Sequence, residues 1–109
     1  MKHKRTKATD IPKKVKEIVW KRDNEQCIFC GKYVPVSCAN AHFIKRSQGG
    51  LGVPQNIFTA CPECHHEEDA GKYTEFYELR ALKYLESKYA GWKIEDLIYK
   101  KGVETWKNQ

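Results

Sequence analysis

Four cysteines stand in two C-x-x-C pairs, Cys27/Cys30 and Cys61/Cys64, and the second pair runs directly into His65-His66-Glu67-Glu68-Asp69. Four thiolates match the four ligands that tetrahedral Zn²⁺ takes in a closed, structural site. The fifth cysteine, Cys38, is left over as a bystander. An iron site of the rubredoxin type uses the same sulfurs, but it leaves the neighbouring histidines without a purpose. Zinc in a small domain contributes on the order of 10–16 kcal/mol of apparent free energy at neutral pH, which is more than typical domain stability.

A second constellation is His42, Asn56, His65 and Asp69. His65 and Asp69 are four residues apart, so on a helix they share one face and can converge on a divalent cation such as Mg²⁺, Mn²⁺ or Zn²⁺. His66 is turned about 100° away and is a weaker candidate. Cys61 and Cys64 pin the start of that helix, so the structural metal would position the second one. His42 has an ordinary pKa suited to taking a proton from water at neutral pH, although a histidine merely packed at a strand edge is the plainer reading of that residue alone. Arg46 and Ser47 precede Gly49 and Gly50 in a turn whose N–H groups and guanidinium can hold phosphate. Asn56 can tie loop to strand by side-chain hydrogen bonds, or orient the metal centre.

These residues need elements to hold them. Residues 1–9 read as a flexible basic arm, and residues 10–109 as a single domain with a helical C-terminal extension. A helix starts after Thr9 or Asp10 with Pro12 in its first turn. Its stripe is Ile11, Val15, Ile18, Val19 and Arg22, leaving Lys13, Lys14, Lys16 and Lys21 to point elsewhere. Gly31 allows the turn after the first cysteine pair a positive φ. Residues 33–36 are irregular, 39–44 form a strand carrying His42, and 57–60 form a second strand leading into Cys61. A helix from Cys64 places Glu67, Glu68 and Asp69 early, where the helix dipole favours acids, and Gly71 breaks it. The longest helix spans 73–89 with Phe76, Leu79, Leu82, Leu85 and Tyr89 buried, and a last short helix covers 92–99.

The 109-residue length implies one domain, and a chain so small has a marginal core unless something staples it. Net charge is +6, with nine basic residues among the first 22 against Asp10 and Glu17, which favours a polyanionic partner. No run of about 18 apolar residues exists, so no membrane partner is expected. The basic N-terminus has no apolar run behind it and does not read as a secretory signal, which argues for a reducing compartment and against disulfides.

AHFIKRSQGG, then QNI, then ACPECHHEED, together with the lead-in WKRDNEQCIFCGK, resemble the HNH endonucleases of the ββα-metal class, especially small phage and bacterial members with four zinc-binding cysteines. The resemblance covers about residues 15–72. It implies an α+β fold: a small ββα-metal core with a two-stranded β-hairpin, flanking N- and C-terminal helices and a structural four-cysteine zinc site. It also implies that His42 is the general base, that Asn56 orients strand and loop, and that His65 binds the catalytic cation with Asp69 one turn later. That cation would be Mg²⁺ or Mn²⁺, with Zn²⁺ or Ni²⁺ as alternatives. The implied activity is metal-dependent hydrolysis of DNA phosphodiester bonds, by nicking or double-strand cleavage. Backbone phosphates would be gripped by Lys13, Lys14, Lys16, Lys45, Arg46 and Ser47.

Many members carry Asp or His immediately before the base, where this chain has Ala41. The cation would then rest on His65 and Asp69, with Asn56, water or DNA phosphate completing its shell. That departure supports a second reading, a zinc-stabilised DNA-binding or adaptor domain with weak or lost catalysis. The resemblance further implies a cytoplasmic setting in a bacterial or phage-infected cell, a monomer or weak dimer, and a protein partner such as a phage packaging component.

Overall fold

The structure, a computed structural model, describes residues 4–100. Residues 1–3 of the expected arm and 101–109 of the expected extension lie outside the described residues. In chain order the elements are α1 (Lys4–Thr9), α2 (Lys13–Arg22), β1 (Ala41–His42), β2 (Ile57–Phe58), α3 (Pro62–Ala70) and α4 (Thr74–Lys88). Short 3-10 turns occur at Val36–Cys38, Arg46–Gln48 and Ile94–Leu97. The fold is α+β. β1 and β2 pair antiparallel, Ala41 opposite Phe58 and His42 opposite Ile57, and α3 follows to complete a ββα unit.

α2 ends where Asn24 and Glu25 take φ of 59° and 63°, reversing the chain so that Gln26 bridges Tyr33 across the first cysteine turn. Gly31, at φ 78°, supplies the left-handed residue that this turn needs. The Arg-Asp pair before it is a structural hub. Asp23 is buried and accepts from the Arg22 guanidinium, from the Tyr84 hydroxyl and from the Thr59 N–H. Arg22 also donates to the carbonyls of Pro54 and Ile57 and to the Tyr89 hydroxyl. One ion pair thus ties α2, the approach to β2, β2 itself and α4. Losing one partner of such a buried pair typically costs about 3–5 kcal/mol.

The main core joins Cys27, Val34, Ala41, Phe58, Ala60 and Cys61 to Ala81 and Leu85 of α4. Phe29 is its keystone, with edge-to-face contacts to Phe58 at 5.5 Å and to Tyr77 at 4.9 Å between ring centroids. Val19, Ala39 and Ile57 form a smaller cluster under α2.

Several elements differ from the sequence-based expectation. Residues 4–9 are helical, and Arg5 donates to the carbonyls of Arg46 and Ser47, contacts that no local pattern announces. On α4, Phe76 and Leu79 are 57% and 53% exposed, while Tyr77, Ala81, Tyr84 and Leu85 turn inward. Small Ala81 lets the helix approach the core, and Tyr84 carries its hydroxyl in to Asp23. Ile18 of α2 is likewise 46% exposed. The final segment is a 3-10 turn rather than a helix over 92–99. Ile98 bridges Gly50 instead, with Tyr99 N–H donating to the Gly49 carbonyl and Leu51 N–H to that of Leu97.

Candidate metal centre and catalytic cleft

The sulfurs of Cys27, Cys30, Cys61 and Cys64 lie within 4.8 Å of one another. Cys30 and Cys61 Sγ are 3.8 Å apart, and ligands about 2.3 Å from a tetrahedral zinc would be separated by about 3.8 Å. The backbone prepares the site. Phe29 N–H points at Cys27 Sγ, and Cys64 N–H points at Cys61 Sγ, which caps α3 with Pro62 following at its first position. Burial pushes the Cys61 and Cys64 thiols up, whereas the Lys32 backbone N–H leads the causes that lower Cys30. Four sulfurs at tetrahedral spacing, with backbone N–H groups aimed at two of them, fit a structural metal ion. Cys38 packs at the edge of the same core with no metal partner among the described residues.

From this anchor α3 carries His65 into a cleft of about 470 Å³ lined by Asn40, His42, Lys45, Arg46, Ser47, His65 and Asp69. His42, His65 and Asp69 therefore meet although 23 residues separate His42 from His65. His42 is 6% exposed, and its Nε2 donates to the Thr9 carbonyl at 2.8 Å. A carbonyl can only accept, so Nε2 bears the proton and Nδ1 carries the free lone pair. Burial lowers the His42 pKa below its ordinary 6.5, helped by the charges of Arg46 and Lys45, and the imidazole is neutral at pH 7.

His65 Nε2 lies 3.5 Å from Asp69 Oδ2, the i, i+4 pairing that the spacing predicts. Burial lowers the His65 pKa as well, leaving a neutral ring that can act as a ligand. Burial works against the Asp69 carboxylate, but Lys45 and His65 hold it below its usual range. Glu68 joins them: one ligand atom each of His65, Glu68 and Asp69 lie within 4.8 Å of one another. The i, i+4 spacing from His65 singles out Asp69 and passes over Glu68, which stands at i+3. The helix starts at Pro62, so Glu67, Glu68 and Asp69 occupy its last turns rather than its first.

Asn56 is fully buried and does not line the cleft. Its Oδ1 accepts from Ile44 N–H at 2.8 Å, and its Nδ2 donates to the carbonyls of Leu51 at 2.9 Å and Ile44 at 3.2 Å. It clamps both sides of the 45–55 loop. Gly50 is the counterpart of that clamp, since a Cβ there would stand 1.6 Å from the Ile44 carbonyl oxygen.

The basic residues divide. Lys16, with Lys7, lines a groove of about 630 Å³ that reaches His42 and Arg46, whereas Lys13 and Lys14 sit exposed on α2 outside it. Arg46 pairs with Asp10 at 2.5 Å. The turn N–H groups of Gln48, Gly49 and Gly50 donate to the carbonyls of Lys45 and Arg46, so the backbone offers no phosphate nest there. Lys45 Nζ contacts Glu68 at 2.5 Å and Asp69 at 2.8 Å. Ala41 is fully buried in the main core beside Phe58. A separate cavity of about 300 Å³ around Gln55, Tyr89 and Trp92 has no histidine or cysteine in its lining. Among the described residues, no helix is long and apolar enough to cross a membrane.

A family model described as HNH endonuclease matches residues 27–71, the segment holding both cysteine pairs, both strands and α3. No curated protein and no solved structure matches the chain. The match supports a nuclease or nucleic-acid-binding function.

Proposed function

We propose that this chain, whose residues 27–71 match the HNH endonuclease model, is a metal-dependent DNA endonuclease with His42 as general base. The observation that carries the reading is the Thr9–His42 hydrogen bond, which fixes the proton on Nε2 and leaves Nδ1 basic in a cleft shared with His65 and Asp69. His42 Nδ1 takes a proton from water as the water oxygen forms a bond to phosphorus, and the bond from phosphorus to the 3′ oxygen breaks. A divalent cation held by His65 and Asp69 supplies positive charge against the phosphate and leaving oxygens when bound, with Mg²⁺ or Mn²⁺ suiting the oxygen-rich donor set and Zn²⁺ or Ni²⁺ suiting its histidine.

Lys16, Lys7 and Arg46 border the groove leading to His42 and would bind backbone phosphates, giving strong salt dependence and little base readout. Lys13 and Lys14, exposed on α2, extend that surface, and Ser47 offers its hydroxyl at the cleft rim. Asn56 acts as a positioning residue that clamps the loop leaving the base-bearing strand. The bound zinc of the four cysteines would fix the first turn of α3 and so the place of His65. A bacterial or phage-infected cytoplasm, a monomeric or weakly dimeric state and a packaging-type protein partner belong to this reading as expectations.

The adaptor reading has one observation in its favour: Ala41 lies in the apolar core and offers no ligand beside the base. Plasmid cleavage by zinc-loaded protein across divalent ions separates the two. Cleavage lost in His42→Ala supports the enzyme, and binding without cleavage under every ion supports the adaptor.

A further inference from the structure

The C-terminal end of α3 concentrates negative charge where a helix opposes it. Glu67, Glu68 and Asp69 stand in its last turns with no basic residue among them, next to the partly negative carbonyl end of the dipole. Something outside the helix must offset that charge. Lys45 does so: its ammonium lies 2.5 Å from Glu68 Oε2 and 2.8 Å from Asp69 Oδ1. The compensation is incomplete. Glu68 is only 1% exposed, yet its Oε1 has no hydrogen-bond partner among the described residues. Leaving a buried acceptor unpaired costs roughly 1–3 kcal/mol, more for a charged group. Two acidic side chains also share a single ammonium there, whereas a divalent ion could engage both of them.

We infer that Lys45 is an exchangeable internal cation seated in the divalent-ion site, and that Glu68 is a third protein ligand of that site beside His65 and Asp69. Divalent-ion binding displaces the ammonium, engages the unused oxygen of Glu68 and frees Lys45. Lys45 Nζ also lies 3.4 Å from the His42 carbonyl, inside the cleft that Arg46 and Ser47 line, so the freed charge stays where a phosphate would approach. The same lysine thus neutralises carboxylates before the ion arrives and is available to substrate afterwards. The ion's role in cleavage rests on the nuclease reading, but the exchange does not.

The test uses the zinc-loaded full chain. Mg²⁺ is titrated while the Lys45 side-chain Cε resonances, identified by their loss in Lys45→Arg, and the His65 ring resonances are followed by NMR. The expected result is that Lys45 moves to the position of exposed lysines with the same midpoint as the His65 change. A saturating His65 change with Lys45 unmoved would overturn the inference, and so would no binding at millimolar Mg²⁺. Calorimetry with Mn²⁺ provides a second arm. Lys45→Met should bind about ten-fold tighter than the wild type and Glu68→Gln about ten-fold weaker. Unchanged Mn²⁺ affinity in a folded Lys45→Met would also overturn it. Cleavage that persists with Lys45 immobile defeats the exchange alone, and Lys45 displacement without cleavage under any ion defeats the nuclease reading alone.

Discussion

The carbonyl oxygen of Thr9 holds Nε2 of His42 at 2.8 Å, although Thr9 lies well before the segment that matches the nuclease model. The proposed base is therefore oriented from α1, and α1 is in turn moored to the 45–50 loop by Arg5.

Deleting residues 1–9 should uncouple base orientation from DNA grip. The single-turnover rate at saturating DNA should fall on the order of 10- to 100-fold, part of what a positioned general base supplies, while zinc content stays unchanged. An unchanged rate with only weaker DNA binding would show that Thr9 has no part in catalysis.

Burial lowers the His42 pKa below 6.5, outweighing the Thr9 hydrogen bond, so the base remains neutral as pH falls through neutrality. The single-turnover rate should stay flat from about pH 8 to about pH 6.5 and decline only below that. As pH falls below 6.5 the unfolded chain protonates first, so the stability linked to the neutral buried ring is lost progressively down to the lowered folded value. Melting curves in parallel separate the two effects. A half-maximal rate above pH 6.5 would contradict a neutral, buried base.

Asn56→Ala should destabilise the fold by about 2–4 kcal/mol in urea unfolding, because it strands Ile44 N–H and two carbonyls. Asn56→Asp should be at least as harmful, since a carboxylate would face the carbonyls of Ile44 and Leu51. Were Asn56 a metal ligand instead, the aspartate would leave stability intact and tighten Mn²⁺ binding.

Cys61→Ser should abolish both zinc binding and cooperative folding, because a site worth about 10–16 kcal/mol exceeds the stability of a domain this size. Zinc content by elemental analysis should be one per chain in the wild type and near zero in the variant. A cooperative melt of metal-free protein would refute the structural role, and iron with a red colour would refute the choice of zinc.

Much of the cleft is legible in the sequence because its chemistry is written in spacing. The two C-x-x-C pairs close one cluster, i and i+4 on α3 bring His65 to Asp69, and two short apolar runs around His42 and Ile57 pair as strands. What stays hidden depends on tertiary approach. Nothing local announces that Arg5 reaches residues 46 and 47, that Thr9 meets His42, or that Lys45 reaches across to Glu68. The α4 stripe departs from its hydropathy pattern because Tyr77, Ala81 and Tyr84, of types ambiguous in such a pattern, share its inner face with the expected Leu85. The large residues Phe76 and Leu79 remain outside.

The most direct test of the account is plasmid cleavage by zinc-loaded wild type and His42→Ala, with Mg²⁺ and Mn²⁺ added in turn. Metal-dependent nicking or linearisation is expected from the wild type. The variant should lose about 10²-fold or more of that activity, with DNA affinity and zinc content retained. Equal cleavage by the variant, or none by the wild type under any divalent ion, would contradict it.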